Sequence, residues 1–67
     1  MPNGYLAAKY SGIHQPVVVC RSAAGYYIGV LTPELGPVSR ESVEYWKTSQ
    51  DAFEALRSEE WTQREHP

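Results

Sequence analysis

Cysteine is nearly absent: Cys20 stands alone, so no disulfide can form within the chain, and one cysteine with two distant histidines offers no zinc spacing. Long apolar runs are missing too. Nothing approaches the roughly 18 residues needed to span a bilayer, and Met1-Pro2-Asn3-Gly4 has neither the basic stretch nor the apolar segment of a secretion signal. The expected setting is the cytoplasm, where a lone thiol stays reduced. Basic excess is lacking as well: 6 Lys and Arg against 8 Asp and Glu give a formal net charge of −2. That balance argues against a protein that grips duplex DNA chiefly by neutralising phosphates. No glycine-rich phosphate loop, dinucleotide fingerprint or serine elbow is present. No cofactor or metal is therefore expected.

What is present suits a packed core. The 67 residues make one domain, 1–67, and 42% of them are hydrophobic, which sets disorder aside. With no staple, stability must come from packing.

Strand patterns fill the middle of the chain. Val17-Val18-Val19-Cys20 is a β-branched run, Tyr26-Tyr27-Ile28-Gly29-Val30-Leu31 is another, and Ser22-Ala23-Ala24-Gly25 joins them as a hairpin connection. Thr32-Pro33-Glu34-Leu35-Gly36-Pro37 is dense in turn residues, and a third strand is expected from about Val38 to Trp46. Short connections favour antiparallel neighbours, hence a meander. Tyr5-Leu6-Ala7-Ala8-Lys9-Tyr10 reads as a short edge strand, with a helical turn as the alternative that Ala7 and Ala8 suggest.

A helix follows. Thr48 and Asp51 have the spacing of a capping box, and from Ser49 to about Arg57 the residues Ala52, Phe53, Ala55 and Leu56 gather on one side. Glu59 and Glu60 sit badly at a helix C-terminus, so a break is expected near Ser58, letting Trp61 fold back onto the core. The fold class is thus α+β: a three- or four-stranded antiparallel meander with one C-terminal amphipathic helix packed on one face.

A single helix covers one face only, so alternation should separate a core face from an open one. Tyr26, Ile28 and Val30 form the better core set on the second strand. On the third, Val43 and Tyr45 go inward with Ser39 and Glu41 in phase, while Arg40, Ser42, Glu44 and Trp46 point out. The expected core is Ile28, Val30, Val43, Tyr45, Phe53 and Leu56. The first strand is not resolved by alternation; with Arg21 outward, the open face carries Arg21, Tyr27, Arg40 and Trp46, with Lys47 beside them. Aromatics interleaved with arginines suit a partner's side chains, a homodimer seam or stacked bases. Equally, Trp46 and Tyr27 can shield each other as ordinary cross-strand neighbours, with the arginines paired to Glu41 and Glu44.

Catalytic groupings are weak. Cys20 lies in a valine run, the surroundings of a structural thiol rather than of a nucleophile activated by His14. Glu41 with Glu44, and Glu59 with Glu60, read as surface charges without the enclosed pocket that separates acid from base. No enzyme is expected.

The segments Gly25-Tyr26-Tyr27-Ile28-Gly29, Gly36-Pro37-Val38-Ser39-Arg40-Glu41-Ser42, Glu44-Tyr45-Trp46 and Ala52-Phe53-Glu54-Ala55-Leu56 together resemble small uncharacterised bacterial and prophage-type proteins. That resemblance implies no activity. A looser architectural similarity is to the arm-type DNA-binding domains of phage integrases, whose helix style Thr48, Ala52, Ala55 and Leu56 match; those sheets are basic, whereas this chain is acidic overall. Two functions follow as expectations. The first is a protein-binding or homo-oligomeric module using the open face. The second is a nucleic-acid binder using the same face, with Arg21, Arg40 and Lys47 on phosphate.

Overall fold

The β-branched and aromatic runs pair as the alternation requires. In the computed structural model, which describes residues 2–67, β1 (Val18–Ser22), β2 (Gly25–Thr32) and β3 (Gly36–Arg40) form an antiparallel sheet in the order β1-β2-β3. β1 and β2 run in unbroken register from Val18 opposite Gly29 to Ser22 opposite Gly25. Their connection turns at Gly25, whose φ of 130° is a glycine conformation. Between β2 and β3 the register slips: Val30 faces Ser39 but Leu31 faces Pro37, leaving Val38 as the extra residue of a bulge.

Two helices, α1 (Tyr5–Ser11) and α2 (Ser49–Ser58), lie on the same side of this sheet. Ala7 from α1, Ala55 and Leu56 from α2, and Val17, Ile28 and Val30 from the sheet make one buried cluster, with Trp46 and Trp61 packed against it. Burying each large side chain contributes about 1.5–3 kcal/mol, so this cluster is the main source of stability.

The α+β meander with a C-terminal amphipathic helix is therefore present as expected. α2 begins where the capping pattern placed it: the Thr48 hydroxyl accepts from the Asp51 amide at 3.1 Å. It ends at Glu59, whose φ of 59° is left-handed, and Trp61 then turns back onto the core.

Two expectations are corrected. Tyr5–Tyr10 is helical rather than an edge strand. Seven residues are too few to hold a helix by local propensity, so its cause lies elsewhere in the fold. Of the expected core, Ile28, Val30 and Leu56 are buried, but Val43, Tyr45 and Phe53 are exposed. Ala52, Ala55 and Leu56 occupy the sheet side of α2, and Phe53, one residue on from Ala52, is turned about 100° away from it. No helix among the described residues is long and apolar enough to cross a membrane.

Candidate functional site

The third strand stops early, and that break determines what each face carries. A ladder continued from Gly29–Arg40 would put Val43 opposite Tyr26. Trp46 sits there instead, exchanging both backbone hydrogen bonds with Tyr26 at 2.8 Å. The three additional residues are taken up in an excursion after Arg40. Within it, the amides of Glu41 and Ser42 both donate to the Ile28 carbonyl, at 2.8 and 3.0 Å, and the Ile28 amide donates to the Ser42 hydroxyl at 3.0 Å. Ser42 thus supplies, from its side chain, the acceptor that a strand would offer from its backbone. An odd number of inserted residues inverts the alternation.

The inversion exchanges Tyr45 and Trp46. Trp46, opposite Tyr26, lies on the helix side against the core, not on the open face. Tyr45 lies on the open side, its ring edge-on to Tyr27 with centroids 6.0 Å apart. Arg21 is also on the helix-side face, because it is directly opposite Tyr26, and its guanidinium stands 5.6 Å from that ring. Lys47 is exposed beyond Trp46. Of the five residues expected to share the open face, the structure brings together only Tyr27 and Arg40.

Those two are engaged within the fold. Tyr27 is 6% exposed, opposite Cys20 and beneath Tyr45. Arg40 stacks 4.6 Å over the Tyr45 ring while its Nη1 donates to the carbonyls of Ser42 and Val43 at 3.0 and 3.1 Å. This arginine holds the excursion closed. What the open side presents to solvent is apolar: Val18, Leu31 and Tyr45 are 38%, 49% and 42% exposed. None was in the expected site. The signal for Leu31 was visible, since it shares the phase of Tyr27 and Gly29.

The most heavily bonded side chain is Glu41, expected on the surface and found 0% exposed. Its Oε1 accepts from the Leu6 amide at 2.9 Å and from Gln63 Nε2 at 2.8 Å. Its Oε2 accepts from the Ala7 amide at 3.1 Å and from the Ser39 hydroxyl at 2.6 Å. Here is the cause of α1: a carboxylate more than thirty residues away satisfies the orphan amides of its first turn. Gly4 provides room, since a Cβ there would stand 2.8 Å from Oε2 and collide with Val30. Burial alone would raise the Glu41 pKa, but the hydrogen bonds, led by the Leu6 amide, outweigh it and hold the carboxyl below its ordinary value. With each oxygen accepting twice, this carboxylate has no lone pair to offer a substrate. Alternation had placed Glu41 inward; its charge argued the other way.

The chain's end closes over the same excursion. The Val43 amide donates to the Thr62 carbonyl at 2.9 Å, the Arg64 amide to the Glu41 carbonyl at 2.7 Å, and the Glu44 carboxylate accepts from both the amide and the hydroxyl of Thr62. Glu44 is likewise held below its ordinary pKa: burial opposes this, and the Thr62 bonds prevail. Cys20 is buried, and burial raises its thiol pKa, the opposite of what activates a nucleophile.

No protein-family model, curated protein or solved structure matches this chain.

Proposed function

We propose that this chain is a small non-enzymatic accessory module of the bacterial cytoplasm that binds a protein partner through the helix-free side of its sheet. The observation that carries the reading is the set Val18, Leu31 and Tyr45, apolar and solvent-exposed on a sheet face that neither helix covers. Apolar and aromatic side chains on a rigid sheet are the usual anchors of a protein interface. The same face suits nucleic acid less well, since its one central cation, Arg40, is bound to two carbonyls and Arg21 lies on the other side. The buried Cys20 thiol and the fully occupied Glu41 carboxylate support the non-enzymatic part of the reading.

A photoreactive benzophenone side chain at position 31 tests it in the host cell. A discrete protein adduct is expected, lost when Val18→Lys is added, and not formed from the same probe at Gln50 on α2. Equal labelling from Gln50, or adducts to nucleic acid alone, would overturn the reading. In parallel, amide spectra with single- and double-stranded oligonucleotides at low salt should leave Val18, Leu31 and Tyr45 unshifted. Salt-sensitive shifts there would favour nucleic acid instead.

A further inference from the structure

Backbone direction along β1 shows a second surface, distinct from the open face. Tyr26 directs its N–H and C=O to Trp46, and Ile28 directs its own to Ser42 and Glu41, so both turn their polar groups away from β1. In an antiparallel ladder the residues opposite them then point their N–H and C=O outward. Those residues are Arg21 and Val19. Pro2 and Asn3 fill the lane beside β1 only as far as Val17, whose amide donates to the Pro2 carbonyl at 3.1 Å. Alongside Val18–Ser22 no described backbone hydrogen bond occupies it. The edge also lacks the proline, bulge or lysine with which sheets protect such a border; Arg21 is its only charge.

Among the described residues the lane is open along the length of β1, and its polar groups are symmetric about Cys20. A two-fold axis there sets Val19 against Arg21 of a second copy, and Arg21 against its Val19, so that all four outward groups of each chain find partners.

α2 supplies an independent observation. Trp46 lies on the β3 side of β2 and shares a cleft with Asp51, Glu54, Ala55 and Ser58 of α2. Phe53 is roughly 150° around the helix from the middle of that set, so it overhangs the β1 side. It is 58% exposed, the most exposed aromatic ring in the fold's described residues. Two sheets joined at β1, with strands about 4.8 Å apart and α2 lying over β1 and β2, bring the two copies of α2 to about 10 Å, a helix-packing distance.

We infer that two copies of this chain pair antiparallel through their β1 edges, about an axis at Cys20, forming a six-stranded sheet whose α2 helices bury Phe53 against each other. The dimer extends the open face without using it.

Sedimentation across a concentration series, combined with amide hydrogen exchange, tests this. A species of twice the 7.6 kDa chain mass is expected. The Val19 and Arg21 amides should gain protection with concentration, while Tyr27 is unchanged. Phe53→Lys alters an exposed position, so it should keep the wild-type circular dichroism and raise the dissociation constant about thirtyfold or more. Arg21→Pro, which removes one outward N–H, should do the same. A wild type that stays monomeric, a dimer whose Val19 and Arg21 amides exchange freely, or a folded Phe53→Lys that still dimerises would each overturn the inference. Failure here leaves the adducts from position 31 untouched, so the two proposals fall separately.

Discussion

The β1–β2 hairpin and the segment from Gly36 to Trp46 carry much the same sequence signature, yet one is a regular ladder and the other is broken. In the hairpin each residue meets its partner in unbroken register. In the second segment, the strand gives way at Glu41 to an excursion held by side chains: Ser42 on Ile28, Arg40 on the carbonyls of Ser42 and Val43, and Glu44 on Thr62. The difference lies in one buried charge. A carboxylate drawn inside needs donors, and those near it in space come from α1 and from the C-terminal segment rather than from a neighbouring strand.

Removing that charge should collapse the contrast. Glu41→Gln puts an amide –NH2 against at least one backbone donor, leaves a buried N–H unpaired, and should cost about 3–4 kcal/mol in denaturant unfolding. For a chain of this size that is a large part of the total. Glu34→Gln, at an exposed turn position, should change stability by about 0.5 kcal/mol or less. If the two variants unfold alike, Glu41 is not what holds the excursion.

Ser42→Ala should come next, at about 1–3 kcal/mol, because the Ile28 amide loses its only acceptor in a buried site. Hydrogen exchange at Ile28 is the direct check: it should accelerate while Tyr27, within the hairpin, does so only through global unfolding.

Acid titration sharpens the same point. Glu41 has a folded pKa below its unfolded value, so its contribution is complete above the unfolded carboxylate range and is lost as pH falls through the folded pKa. Glu44 acts in the same direction more weakly, being more exposed. Thermal melts should therefore fall steeply below about pH 4.3, and much of that slope should vanish in Glu41→Gln. An unchanged slope would assign acid sensitivity to other carboxylates.

Among the lost hydrogen bonds, the smallest effect belongs to the locally determined part of the chain. Thr48→Ala should cost about 1 kcal/mol, the value of one N-cap.

These magnitudes track how much could be read from sequence. The hairpin, the Thr48 cap, the stop at Ser58 and the return of Trp61 all rest on residues close together in the chain, and each was legible. α1 was not, because its first-turn amides are capped by a residue far along the sequence; Ala7 and Ala8 were the only local hint. Nor were Tyr45 and Trp46 placed correctly. Period-2 alternation is reliable only while a strand is continuous, and three additional residues reversed the assignments of Ser42, Val43, Tyr45 and Trp46. Arg21 was misplaced for a simpler reason: Val17–Arg21 alternates equally well in either phase, and only the register with Tyr26 decides it. Glu41 is the instructive case, since the phase pointed inward and a general rule about charge overruled it.

Glu41 also has a consequence for the order in which the molecule comes together. Synthesis runs from the N-terminal side, so α1 emerges well before its capping oxygens, which arrive about thirty-five residues later, and the Gln63 that helps to hold them arrives later still. α1 must wait, unstructured, for Glu41. A nascent chain halted before residue 41 should present the hairpin without α1, and the helix should form only once Glu41 has been made.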